Sequence, residues 1–277
     1  MHYETNKNSK ITVFDLTQFD INHILDCGQT FRYRNGQNCH TVFSKNKNCV
    51  LQKQNECVII ETEDTDYFVN YFDLNRDYGK IKSNLKSLKG LEQSLEFGSG
   101  IRILNQDPYE MIISFIISAN NNIPRIKGII ERICENLGDK NSCGFAFPSP
   151  EQLAQADRKF FESIGAGYRA SYLEETSRKL VGYDLNTLYN MSTAEARKVL
   201  MSFKGIGGKV ADCILLFAYH KTDLFPMDTW SKKIYNALGY ADETVPDKMS
   251  KRLVNTFGDL SGYAQQYLYY FYRTNKI

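Results

Sequence analysis

Cysteine is sparse and scattered in this sequence. The seven cysteines (Cys27, Cys39, Cys49, Cys57, Cys134, Cys143 and Cys213) are odd in number and contain no Cys-x-x-Cys pair. That pattern speaks against a zinc ribbon, an iron–sulfur cluster or a disulfide framework, and fits reduced thiols in the cytoplasm. Long apolar runs are missing as well. The longest, Met111–Ile117 and Ile214–Tyr219, fall far short of the ~20 residues of a membrane span, and Met1–Lys10 is polar with no apolar run behind a basic start. Neither a signal peptide nor a membrane helix is expected. Nor is there an excess of one charge: 34 Lys and Arg stand against 32 Asp and Glu, and up to Gly100 the counts are 12 and 13. The excess of +2 identifies no polyanionic partner, so any nucleic acid must be held by local contacts and backbone amides. Internal repeats and low-complexity segments are absent too.

What is present belongs to a folded protein with a substantial core: 277 residues, 42% hydrophobic and 24% charged. The first hundred residues read as short strands, Thr30–Tyr33, Cys39–Phe43, Cys49–Lys53 and Cys57–Thr62, set roughly 8 to 12 residues apart by Asn, Gly and Lys-rich breaks, as in an antiparallel meander. Between Tyr67 and Phe97 the apolar spacing turns helical. Gly98-Ser99-Gly100 then reads as the most flexible junction, dividing an N-terminal sheet domain (1–100) from a helical domain (101–277). In the second part helix starts are well marked. Asp107-Pro108-Tyr109-Glu110 supplies an N-cap, a first-turn Pro and a Glu ahead of a helix that is apolar nearly all round and therefore central. A second helix runs from about Pro124 to Leu137 and stops at Gly138, and Ser149–Gln152 and Ser192–Glu195 read as capping boxes. The expected class is α+β: an antiparallel sheet with helices, followed by a mostly α-helical domain.

The segment Leu200-Met201-Ser202-Phe203-Lys204-Gly205-Ile206-Gly207-Gly208-Lys209-Val210-Ala211-Asp212 reads as helix, tight hairpin, helix. Gly205, Gly207 and Gly208 let the backbone approach a ligand, and free amides at the second helix start suit a phosphate. Alone, the glycines fit an ordinary interhelical turn at least as well. Lys209 stands at the positive end of the helix macrodipole, which favours its neutral form. Pro226-Met227-Asp228-Thr229-Trp230 places a carboxylate before a further helix, where Asp228 also reads as an N-cap.

Together these residues resemble the helix-hairpin-helix DNA glycosylase superfamily, and within it the 8-oxoguanine DNA glycosylase family, in which Lys follows the hairpin. The likeness extends to Gly28-Gln29-Thr30-Phe31-Arg32, Gln106-Asp107-Pro108, Ser118-Ala119-Asn120-Asn121-Asn122-Ile123-Pro124-Arg125, Gly165-Ala166-Gly167-Tyr168-Arg169-Ala170, Gly208-Lys209-Val210-Ala211-Asp212-Cys213 and Tyr263-Ala264-Gln265.

The resemblance implies a bifunctional DNA repair enzyme that flips 8-oxoguanine out of duplex DNA, excises it and nicks the strand. Lys209 would be the nucleophile and Asp228 its electrostatic partner. Gly28 would accept the lesion's N7 proton through its carbonyl, Cys213 and Tyr269 would sandwich the base, and Gln265 would meet its Watson–Crick edge. Tyr168 would wedge into the vacated stack, with Asn120, Arg125 and Arg169 at the gap and the estranged cytosine. Gly205, Gly207 and Gly208 would face DNA phosphate. The expected partner is double-stranded DNA with 8-oxoguanine opposite cytosine, bound by a cytoplasmic monomer, nucleoid-associated if bacterial, without metal or other cofactor. Trp230 departs from the pattern, since relatives often carry His there. Tyr269 stands where Phe is common, and Pro124 and Gly208 where other small residues are frequent. Two other readings compete: a monofunctional glycosylase for alkylated or mismatched bases, which typically lacks the post-hairpin Lys, and a non-catalytic helix-hairpin-helix module. The cluster-containing endonuclease branch is disfavoured because no cysteine follows Cys213.

Overall fold

The protein is described here by a computed structural model covering every residue except 7, 8, 89, 142, 241 and 277. Its first part holds a six-stranded antiparallel sheet of β1 (Tyr3–Asn6), β2 (Lys10–Val13), β3 (Tyr33–Asn35), β4 (His40–Ser44), β5 (Lys47–Gln54) and β6 (Cys57–Thr62), in the order β1-β2-β6-β5-β4-β3. The register places Ile11 beside Ile60 and Ile60 beside Leu51, so alternate residues put one continuous apolar face against the helices. The expected meander is β3 to β6, and the N-terminal β1 and β2 extend it beyond β6. One expected strand shifts. Residues Thr30–Arg32 lie outside the ladder, apart from a bond from Phe43 N to Arg32 O at 2.9 Å, and β3 begins at Tyr33.

The helices are α1 (Ile21–Asp26), α2 (Thr65–Tyr71), α3 (Tyr78–Lys86), α4 (Glu92–Phe97), α5 (Pro108–Ser118), α6 (Ile123–Leu137), α7 (Pro150–Ala154), α8 (Arg158–Ser163), α9 (Ala170–Leu180), α10 (Thr193–Met201), α11 (Gly208–Tyr219), α12 (Thr229–Ala237), α13 (Pro246–Phe257) and α14 (Ser261–Asn275). Every residue of α5 from Glu110 to Ile117 is buried, as its all-round apolar sequence requires. Both capping boxes form, at Ser149–Gln152 and Ser192–Glu195. At α5 the rule holds by half. Asp107 accepts from Glu110 N at 2.9 Å, but the Glu110 carboxylate turns to the sheet. There it accepts from Lys45 N at 2.9 Å and pairs with buried Arg32 at 3.3 Å.

Apolar side chains divide between two cores. One lies under the sheet, and the other gathers the helices from α5 onward together with Tyr78, Leu85, Leu91 and Leu95 of the α3–α4 region. The Gly98–Gly100 segment is not a flexible junction. Asp20 N donates to Gly100 O at 3.0 Å, Gly100 N donates to His23 Nδ1 at 3.2 Å, and Lys82 Nζ donates to Ser99 O at 2.8 Å. A side chain at Gly100 would run into Asp20, so glycine there serves close packing and not freedom.

Candidate active site

Two buried glutamines anchor the seam between sheet and helices. The Gln29 side chain donates to Ile24 O at 3.0 Å and Arg102 O at 2.8 Å and accepts from Leu104 N at 2.9 Å, while Gln106 Nε2 donates to Gln29 O at 2.8 Å. Such saturation of buried amides fixes the preceding turn at Gly28. Gly28 has φ +83°, a left-handed conformation that glycine adopts without strain. An added Cβ would meet Tyr269 Cε1 and Arg273 Nη1 at 3.1 Å each.

Opposite this turn, α11 presents Lys209, Cys213 and Phe217 at i, i+4 and i+8, one stripe of a helix. With Gly28, Phe115, Pro226, Asp228, Gln265, Gln266 and Tyr269 they line a recess of about 340 Å³. Chain regions more than two hundred residues apart in sequence, Gly28 and Tyr269, thus meet at one place. Lys209 Nζ lies 5.6 Å from the centre of the Phe115 ring, which stacks on Phe217 at 5.7 Å. Asp228 caps α12, accepting from Ser231 N at 2.8 Å through Oδ1. The expected cap and the expected site carboxylate are therefore one residue. Gln265 is 5% exposed, and its Oε1 is buried in the recess without a hydrogen-bond partner.

The electrostatics correct one expectation. Burial lowers the Lys209 pKa, but Cys213, Asp228 and Tyr269 oppose it and prevail, holding the amine above the ordinary lysine range. Lys209 therefore rests as an ammonium, because its polar neighbours outweigh its burial. Burial pushes the Cys213 thiol up to about 11, so at neutral pH it is an uncharged, polarisable wall. One turn along α11, burial pushes Asp212 up to about 6 against the pull of Arg197, whose Nε lies 2.7 Å from Oδ1.

A second group gathers at the C-terminal end of α5. Tyr168 is 55% exposed and donates through its hydroxyl to Ala119 O at 3.1 Å. Asn120 is exposed with φ +48°. Exposed Arg125 donates to Gly165 O at 3.0 Å. Arg169 departs from expectation: it is 2% exposed, stacked on Tyr168 at 4.4 Å, and donates to the carbonyls of Ala119, Asn120 and Ala166. It holds the Asn120 turn in place and does not project outward. At the hairpin, Thr176 Oγ1 donates to Lys204 O at 2.9 Å, and Gly205 takes φ +82°. Gly207 is the N-cap of α11 with no side-chain cap, leaving first-turn amides for an outside acceptor. Gly208 has a further reason, since a Cβ there would collide with Arg197 Nη2. Trp230, half-buried, carries Lys233 Nζ 4.5 Å from its ring.

Comparison with known proteins agrees with this geometry. The family model "8-oxoguanine DNA glycosylase, N-terminal domain" matches residues 11–112, and "HhH-GPD superfamily base excision DNA repair protein" matches residues 113–258. A solved structure of Clostridium acetobutylicum 8-oxoguanine glycosylase/lyase, in complex with double-stranded DNA containing cytosine opposite 8-oxoguanine, superposes with a TM-score of 0.94 at 38% identity, covering 100% of this chain and 99% of that one. The chain belongs to the 8-oxoguanine DNA glycosylase family. A probable N-glycosylase/DNA lyase of Methanothermobacter thermautotrophicus is 33% identical over 72% of this chain and 71% of its own length. The N-glycosylase/DNA lyase of Saccharomyces cerevisiae is 28% identical over 89% and 81%.

In this family member several residues about the site carry no motif in the sequence: Phe115, Phe217 and Gln266 line the recess, while Arg273 lies against Tyr269 and Arg197 pairs with Asp212 outside it. Helical spacing could have found two of them, since Phe217 follows Cys213, and Arg273 follows Tyr269, by one turn.

Proposed function

We propose that this protein is a bifunctional DNA glycosylase that excises 8-oxoguanine opposite cytosine and nicks the strand through a lysine Schiff base. The observation carrying this reading is the single recess that unites Lys209, Cys213, Asp228, Gln265, Tyr269 and Gly28.

A base inside duplex DNA is out of reach, so the nucleotide is extruded at a cost of a few kcal/mol. Tyr168, exposed beside Asn120 and Arg125, is placed to fill the gap, and the uncapped start of α11 suits a backbone phosphate. In the recess the Gly28 carbonyl accepts the N7 proton that 8-oxoguanine carries and guanine lacks. Guanine would set a lone pair against that carbonyl, at ~1–3 kcal/mol. Cys213 and Tyr269 take the base faces, and the unpaired Gln265 Oε1 meets a donor on its Watson–Crick edge.

Lys209 first gives up its proton to solvent, which leaves the Asp228 carboxylate charged. Its lone pair then attacks C1′ as the C1′–N9 bond breaks, and the base departs with that bond's electrons and a proton. Asp228 stabilises the positive charge growing on the sugar. The C1′–O4′ bond of the resulting aminal then opens, O4′ taking a proton as the nitrogen sheds one, and the imine so formed acidifies a C2′ proton, whose removal expels the 3′ phosphate and cuts the strand. A water nucleophile could release the base but not perform this second step. The monofunctional and binding-only readings leave Lys209 without a task.

Incubation with an 8-oxoguanine:cytosine duplex and borohydride tests the proposal. A covalent adduct is expected. Excision without adduct would establish the monofunctional reading, and binding alone the module. No helix among the described residues is long and apolar enough to cross a membrane.

A further inference from the structure

Helix α14 grips the turn before Gly28 at two consecutive carbonyls. Arg273 Nη2 donates to Asp26 O, and Gln266 Nε2 donates to Cys27 O at 2.9 Å. The next carbonyl is that of Gly28, which receives no hydrogen bond among the described residues. The second terminal nitrogen of Arg273, Nη1, is buried without an acceptor, and the guanidinium lies 5.2 Å from the centre of the Tyr269 ring. A Cβ at residue 28 would meet this Nη1 and Tyr269 Cε1 at 3.1 Å each, so guanidinium, ring and glycine are in mutual contact range. Buried charged donors are nearly always paired. This guanidinium is paired through Nη2 with the Asp26 carbonyl and has the Tyr269 side chain beside it, and the nitrogen left over faces the ring and the glycine, which calls for a geometric task.

We infer that Arg273 is a positioning residue for base recognition. One nitrogen holds the Asp26 carbonyl, and the plane of the guanidinium backs Tyr269, one helical turn earlier on the same face. Together they fix the distance between the stacking ring and the Gly28 carbonyl, and with it the discrimination between 8-oxoguanine and guanine. Hydrogen bonds weaken steeply with poor geometry, so a loosened turn blurs the N7 contact before it harms the fold. The inference rests on the proposed base pocket. Lysine is a poor replacement, because a point charge cannot hold a carbonyl and cover a ring together.

Arg273→Met and Arg273→Lys test this, with single-turnover excision from 8-oxoguanine:cytosine and guanine:cytosine duplexes beside borohydride trapping on an abasic-site duplex, whose bare sugar needs no base pocket. For Arg273→Met, excision of 8-oxoguanine is expected to fall roughly tenfold or more and its preference over guanine to narrow, while abasic trapping stays within about twofold. Arg273→Lys is expected to lie between Met and wild type, and if the Met variant does not fold the Lys variant carries the same split to a smaller degree. Equal loss of excision and abasic trapping, or an unchanged preference, would overturn the inference. A wild-type protein that traps abasic DNA but ignores 8-oxoguanine would refute the base pocket instead.

Discussion

Gln265→Met exchanges a buried amide for an unbranched thioether of similar length. In the free protein the Gln265 Oε1 is buried without a partner, which costs ~1–3 kcal/mol relative to a shape-matched apolar group. Removing it is expected to stabilise the chain by up to that amount, or roughly 2–4 °C in Tm per kcal/mol at this size. With the lesion in place the sign reverses. The bond that Oε1 would make to the base edge is lost and a donor of the base is left bare, again ~1–3 kcal/mol, or about 5- to 150-fold in kcat/KM. Thermal melting and single-turnover excision on one 8-oxoguanine duplex read both effects, with abasic trapping as the control for an intact lysine. A clear fall in Tm would make Gln265 a structural residue, and unchanged excision would remove the base from this recess.

Asp228→Asn keeps an oxygen for the α12 cap, so stability is expected to stay within ~0.5 kcal/mol while single-turnover excision drops about a hundredfold; an unchanged rate in a folded, DNA-binding variant would strip Asp228 of its role. Because Lys209 is held protonated above the usual lysine range and only the neutral amine attacks, single-turnover excision is expected to rise with pH from about 6 to 9, close to tenfold per unit, whereas a falling profile would contradict the lysine nucleophile. His220, buried beside Tyr263 at 2.8 Å, is pushed down to about 4 by desolvation. The folded ring thus binds its proton later than the unfolded one near 6.5, so its stability is whole above pH 6.5 and is lost as pH falls toward 4, about 3 kcal/mol in all. His220→Asn suits the left-handed backbone there (φ +52°), and denaturation at pH 7 and pH 4 is expected to show a smaller acid loss than in wild type; equal losses would refute the assignment.

The parts of the fold legible in the sequence were those set by local rules. The caps at Ser149, Ser192 and Asp107, the all-round apolar α5 and the hairpin before Lys209 each depend on a few neighbouring residues, and each stands where the spacing puts it. What escaped depends on distant partners. The polar Tyr3–Asn6 becomes a strand by pairing with β2, and Lys10–Val13 by pairing with β6 some fifty residues on. The glycines at 98 and 100 look like a hinge until Asp20 is seen pressed against the second. The site divides the same way. Lys209, Cys213, Asp228, Gln265 and Tyr269 line one recess, but the charge state of Lys209 and the burial of Arg169 follow from neighbours that no linear motif contains.

The most direct test of the lysine mechanism is to locate the covalent bond. Wild-type protein is trapped with borohydride on an 8-oxoguanine:cytosine duplex, digested, and the modified peptide sequenced by mass spectrometry, with Lys209→Gln run in parallel. The DNA remnant is expected on Lys209, and the Gln variant is expected to give no adduct while still binding the duplex. A remnant on Met1 or another lysine, or normal trapping by Lys209→Gln, would contradict the account.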